Sequence, residues 1–208
     1  MSALRAISLV AAAVVLAGCS GMSEQACASA DWRTVGFEDG TLGRSEANIA
    51  RYRNQCADHG VAPDLERYRA GHAEGVRVYC RESNGFAVGH SGATYQGVCP
   101  ADLEGAFVAE YNVGRHLNEL ESALGSIDAR IAGDYRTQEN IKQELTTIAA
   151  TVIANETTAD ERAKLVARSA DLGRRYGELT SEVQQLQRER AVAERELLDF
   201  RATLAASF

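Results

Sequence analysis

The chain has 208 residues, a formal net charge of −7 and 45% hydrophobic side chains, enough for one or two ordinary domains. The charge is shared evenly between residues 20–115 and 116–208, and no basic cluster stands out. This argues against a nucleic-acid partner or an electrostatic hold on an anionic membrane surface.

The first element is a short apolar run. Arg5 is the one charge before Glu24, Ala6 to Val15 are apolar except for Ser8, and Leu16-Ala17-Gly18-Cys19 follows. A basic start, a short apolar stretch and small residues make an export signal over residues 1–18. The run is well short of the ~20 residues that a spanning helix needs. The tetrapeptide resembles the lipobox of bacterial lipoproteins, in which cleavage precedes the cysteine and the cysteine is acylated. Cys19 is therefore the expected lipidation site, and its acyl chains (palmitate among them) are the expected link to a membrane. Each buried methylene contributes ~0.8 kcal/mol, so two or three chains hold firmly where one does not. Ser20, rather than an aspartate, follows Cys19. By resemblance to lipoprotein sorting in Gram-negative bacteria, that implies an outer-membrane anchor facing the periplasm. Residues 19–29 read as a lipidated tether.

Residues 30–115 read as a compact head. Thirteen of the 18 glycines and both prolines fall in residues 20–115. A first helix is expected over Ala30 to Leu42. A second follows over Ser45 to Cys56, with Ile49, Tyr52 and Cys56 on one face, and His59-Gly60 stops it. Pro63-Asp64 opens a third, tracked by Leu65, Tyr68, Gly71, Gly75 and Val78. The recurring Gly36, Gly40 and Gly43, with Gly71 and Gly75, point to close approach between helices; room for a ligand is the rival reading. Four cysteines remain after Cys19: Cys27, Cys56, Cys80 and Cys99. An even number in an exported domain implies disulfides, with three pairings open from spacing alone. Three helices running up, down and up favour Cys27–Cys56 and leave Cys80 for Cys99. No CxxC pair is present, so no zinc site or other metal or cofactor is expected.

Between Cys80 and Cys99, Asn84-Gly85 and Ser91-Gly92 are turn signals and Phe86 alternates with Val88. This stretch reads as a disulfide-bounded, Gly-rich, irregular hairpin, and Pro100 starts a helix through Phe107 and Tyr111. The order Asp31-Trp32, Gly36, Asp39-Gly40, Gly43, Cys56, Gly60-Val61, Pro63-Asp64, Tyr68, Gly71, Gly75 opens a longer pattern. Tyr79-Cys80, Asn84-Gly85, Gly89, Gly92, Tyr95, Gly97-Val98-Cys99-Pro100, Phe107, Tyr111 and Gly114 complete it. It resembles the bacterial lipoprotein family called domain of unknown function 2799. The resemblance implies an envelope lipoprotein and transfers no catalytic residue.

No catalytic constellation emerges. His59, His72, His90 and His116 form no pair three or four apart, and Ser91 lacks the GxSxG spacing of a nucleophile elbow. Asp31, Glu38 and Asp39 fit caps or surface charges better than paired carboxylates. The chain is not expected to be an enzyme. A head ligand, if there is one, is expected near Trp32, Asp39, Tyr68, His72, Tyr79 and Tyr95, chosen by side-chain type.

Residues 116–208 carry the clearest periodicity. Leu117, Leu120, Leu124, Ile127 and Ile131, then Ile141, Leu145, Ile148 and Val152, step by three and four, with Asp134 and Gln138 at seam positions between. The second arm runs through Leu165, Leu172, Tyr176, Leu179, Val183, Leu186, Arg190, Ala193, Leu197, Phe200 and Leu204. Ala154 to Thr157 breaks the pattern, and Thr158 with Glu161 makes a capping box. The expected fold class is mainly α: a disulfide-stapled head followed by an antiparallel coiled-coil hairpin whose first arm spans ~50–55 Å. Gly133, Gly173 and Gly177 weaken a lone hairpin. The expected function is therefore an envelope structural or interaction protein, with a protein partner or self-association through 116–208. The alternative is a head that binds or modifies a small envelope or cell-wall ligand.

Overall fold

The computed structural model describes residues 21–206, so Leu16 to Cys19 and the export signal lie outside the described residues. The helices are α1 (Glu24–Ser29), α2 (Trp32–Thr41), α3 (Ile49–Ala57, entered through a 3-10 turn at Glu46–Asn48), α4 (Leu65–Tyr79), α5 (Glu82–His90), α6 (Ala101–Ile153) and α7 (Ala159–Ala206). They form two compact units. One holds residues 21–80 together with Gln96–Pro100; the other holds Arg81–Tyr95 and residues 101–206.

In the first unit, Asp31 caps α2 by accepting from the Arg33 amide at 3.2 Å, and Asp64 caps α4 by accepting from the Arg67 amide at 3.0 Å. The two helices run in the same direction and touch backbone to backbone. A Cβ on Gly36 would land on the Tyr68 carbonyl, one on Gly40 on the His72 carbonyl, one on Gly71 on the Arg33 carbonyl and one on Gly75 on the Phe37 carbonyl. Close packing is thus the reason for these glycines. Around the crossing sit Cys27, Trp32, Ile49, Tyr52, Cys56 and Tyr68 as one core. The Cys27–Cys56 disulfide lies inside it, and Cys80–Cys99 fastens the Gln96–Pro100 strap to the end of α4. Each bridge contributes about 2–4 kcal/mol in the chain-entropy account. The expected tether over residues 19–29 departs from the structure at Glu24–Ser29, where α1 forms with Ser23 as its cap.

The second unit corrects the reading of the Cys80–Cys99 loop. Its Gly-rich part is a helix, α5, packed on the first turns of α6. Asn84-Gly85 is not a turn. Gly85 and Gly89 instead let α5 approach α6: a Cβ on Gly85 would strike the Phe107 carbonyl and one on Gly89 the Tyr111 carbonyl. From the α6 side, Gly114 admits the Phe86 carbonyl.

The two crossings are one arrangement used twice. Gly36 with Gly40 corresponds to Gly85 with Gly89, and Gly75 (against Phe37) corresponds to Gly114 (against Phe86). The four described residues with positive φ fall into matching pairs as well. Gly43 and Gly92 end the first helices, each seven residues after Gly36 or Gly85. Gly60 and Gly97 each open a Gly-Val-x-Pro sequence before the second helix, followed by Asp-Leu-Glu at Asp64 and Asp102. The head is an internal duplication, with α3 and its disulfide inserted in the first copy alone.

The second copy continues outward. α6 passes residue 115 without a break, so the shift in composition there marks no structural boundary. Helices α6 and α7 form the expected hairpin. Leu117, Ile141 and Ile148 are buried on α6, and Leu172, Leu179, Val183, Leu186 and Leu197 on α7. At the tip, the Thr158 amide donates to Glu161 at 2.9 Å and the Glu161 amide donates to Thr158 at 3.3 Å, completing the capping box. The hairpin glycines differ from those of the head: a Cβ on Gly125, Gly173 or Gly177 would meet nothing within 4 Å.

This contrast gives opposite outcomes for one substitution. Gly75→Ala should destabilise the oxidised protein by about 1–3 kcal/mol, because backbone cannot yield to the added methyl. Gly173→Ala and Gly177→Ala should each stabilise it by about 0.5–1 kcal/mol. Urea unfolding followed by circular dichroism measures both.

Candidate functional site

The most elaborate polar arrangement in the first unit surrounds Asp39, which is 1% exposed. The sequence reading placed it at a cap or on the surface; instead α2 turns it inward beside Gly40. Its Oδ1 accepts from Arg44 at 2.7 Å and from the Tyr52 hydroxyl at 3.1 Å. Its Oδ2 accepts from Asn48 at 2.6 Å and from the Tyr68 hydroxyl at 2.7 Å. Burial disfavours the charged carboxylate, but the bonds from Tyr68, Asn48, Arg44 and Tyr52 outweigh it and hold the group below the usual carboxylate range. Burial and the adjacent Asp39 carboxylate push the Tyr68 phenol upward. Two donors on each oxygen leave little accepting capacity for a ligand. The arrangement ties α2, α3 and α4 together.

Of the six residues singled out by type, Asp39, Tyr68 and His72 come together in the first unit. Trp32 packs edge-on against Tyr52, Tyr52 neighbours Tyr68, and Tyr68 stacks on His72 with ring centroids 5.9 Å apart. Tyr79 lies over Gly43, where a Cβ would strike its ring. Tyr95 belongs to the second unit, where it contacts Phe107 and donates to Glu104 at 3.1 Å. Of the other candidates, Asp31 is a cap that also pairs with Arg67, and Glu38 is exposed. His59 contacts the Met22 carbonyl, His90 pairs with Glu121, and His116 packs on Phe200. Among the described residues, no three His, Cys, Asp or Glu side chains converge to hold a metal ion.

Only His72 among the six lines an open groove, of about 470 Å³. One wall is α4 at His72, Ala73, Val76 and Arg77; the other is Ser45, Glu46 and the strap at Gln96–Val98 and Pro100. His72 Nε2 donates to the Arg44 carbonyl at 2.7 Å. Gln96 accepts the Ser45 amide on its Oε1 at 3.3 Å, which leaves its NH2 as a donor. Ser45, Glu46, Arg77 and Gln96 escaped the sequence reading. They carry no motif, and the Cys80–Cys99 disulfide ties the strap to the end of α4.

Residues 31–116 match the model of the family described as "Protein of unknown function (DUF2799)". The match covers both copies of the duplicated crossing and stops where α6 continues into the hairpin. No curated protein and no solved structure matches the chain.

The Asp39 network sets the limits of stability at both ends of the pH scale. A carboxyl depressed in the folded state contributes fully above its unfolded value, near 4, and that contribution is lost as pH falls through the folded value. A phenol raised in the folded state contributes below its unfolded value, near 10, and stability is lost as pH rises beyond it. Urea midpoints should therefore fall below about pH 4 and above about pH 10. Tyr68→Phe should abolish its part of the alkaline fall and cost about 1–3 kcal/mol at neutral pH.

Proposed function

We propose that the chain is an envelope lipoprotein, acylated at Cys19 and facing the periplasm from the outer membrane, that works as a structural or interaction protein. Its coiled-coil hairpin engages a partner protein or a second copy. The observation that carries this reading is the hairpin itself. It extends beyond the family-matched segment, its second arm is capped by Thr158 and Glu161, and the arms are paired along their length: Arg201 with Glu121, Arg190 with Asp128, Arg130 with Glu182 and Arg168 with Glu144. Heptad arms of this length suit recognition by another helix laid along them. The lipobox tetrapeptide supports the anchor, and Ser20 supports the outer-membrane address.

The anchor and the hairpin are tested separately. Cys19→Ala should move the protein from the membrane fraction to the soluble fraction and abolish labelling by radioactive palmitate; retention with label would reject the anchor. Photo-crosslinking residues placed at the exposed positions Arg136, Val166 and Val192 should capture a protein adduct or a dimer in cells. The hairpin reading fails if all three give monomer alone while a crosslinker in the head captures a partner.

A further inference from the structure

We propose that the groove between α4 and the Gln96–Pro100 strap binds a short, uncharged stretch of polypeptide in extended form. The polar groups facing it are fixed before any ligand arrives. His72 is 8% exposed, stacked on Tyr68, which the Asp39 network holds, and bonded through Nε2 to the Arg44 carbonyl. The Gln96 NH2, fixed by the bond from Ser45 to its Oε1, stands as a donor suited to a carbonyl.

The strap supplies main-chain groups of the same kind. Gln96, Gly97 and Val98 belong to no helix or strand and enter no backbone-to-backbone hydrogen bond among the described residues. Nothing lies within 4 Å of where a Gly97 Cβ would sit, so the main chain is open to approach. Free main-chain donors and acceptors beside small apolar surfaces suit a peptide backbone and its alternate side chains. The apolar lining is aliphatic (Ala73, Val76, Val98, Pro100), with no Trp, Tyr or Phe to offer a flat face to a sugar ring. The charged lining residues, Glu46 and Arg77, are opposite in sign, and Glu46 is paired with Arg69 at 2.5 Å. The lining thus presents no run of like charge to a ligand. Its volume, about 470 Å³, lies within the range of small-ligand sites.

The test is a nuclear magnetic resonance titration of the oxidised, 15N-labelled full mature chain carrying Cys19→Ser. The probes are the blocked peptide acetyl-Ala-Val-Ala-Ala-amide and, separately, an N-acetylated trisaccharide. The peptide should give saturable shifts at the amides of Gly97, Val98 and Ala73. Ala73 is exposed on the groove wall, so Ala73→Tyr fills the groove without entering the core and should weaken binding about tenfold or more. Gln96→Ala, on the exposed strap, provides a second variant and should weaken it as well. The proposal is overturned if the peptide shifts do not saturate by about 5 mM. It is equally overturned if both variants bind as the parent does, or if the trisaccharide shifts the same amides and the peptide does not.

Discussion

Two parallel helices pressed together until one backbone meets the other are the constraint on which this fold depends. Gly36, Gly40, Gly71 and Gly75 each face a carbonyl that leaves no room for a methyl group. Glycine inside a helix costs about 1 kcal/mol relative to alanine, so the crossing has to return more than it costs. It does so by main-chain contact and by setting where the large side chains go. With no side chains between the helices, Trp32 and Tyr68 move to the flank and meet Ile49, Tyr52 and the Cys27–Cys56 disulfide there. The crossing also demands helices that run the same way. A connecting segment must therefore return along their length, through α3 in the first copy and through residues 91–100 in the second.

Asp39 explains how the first copy tolerates its insertion. The 3-10 turn and α3 are short, and α3 buries only Ile49, Tyr52 and Cys56. Apolar burial on that scale is a modest hold, and the Asp39 carboxylate adds directional bonds from Arg44, Asn48 and Tyr52, all within the inserted segment. At the corresponding place in the second copy the residue is Val88, and there is no insertion to hold. The acid occurs where the insert occurs. A buried charge of this kind need not add net stability over an apolar replacement. Its bonds nevertheless select one placement of α3, because each donor meets a fixed oxygen.

The periodic parts of the fold were legible in the sequence, as was the close approach marked by Gly36, Gly40, Gly71 and Gly75; the second crossing, at Gly85 and Gly89, was not. Leu117 to Val152 and Leu165 to Leu204 repeat at three and four because each seam residue faces the other arm, and Thr158 with Glu161 marks where the second arm starts. The disulfide pairing followed from helix direction alone. The Cys80–Cys99 segment misled because Asn84-Gly85 and the alternation of Phe86 and Val88 are local turn and strand signals. The helix there is decided by its partner, and a glycine needed for close approach looks the same in sequence as one needed for a turn. Asp39 misled for a similar reason: its donors lie 5, 9, 13 and 29 residues away, and no local pattern announces them. The groove was invisible because its walls come from segments far apart in sequence, the strap being held to the end of α4 by the Cys80–Cys99 bridge.

The hairpin shows how the second copy of the crossing was put to use. Glu121 on α6 accepts from His90 at the end of α5 at 2.8 Å and from Arg201 near the end of α7 at 2.6 Å. Both bonds hold its carboxyl below the usual range, with His90 the stronger influence. One carboxylate thus joins the crossing to both arms. Farther along, polar residues interrupt the seam, where Gln138 donates to Thr180 at 3.0 Å and Arg190 donates to Asp128 at 2.6 Å; outside it, Gln187 donates to the exposed Tyr135 at 3.1 Å. The Asp134 Oδ2 beside them is buried without a hydrogen-bond partner. An all-leucine seam would be more stable, but it would look alike to itself after a slip of one heptad. A slip here would break the pairs of Gln138, Asp128 and Glu144 together and leave polar groups facing apolar ones. The seam therefore gives up stability to fix which residue of one arm meets which of the other.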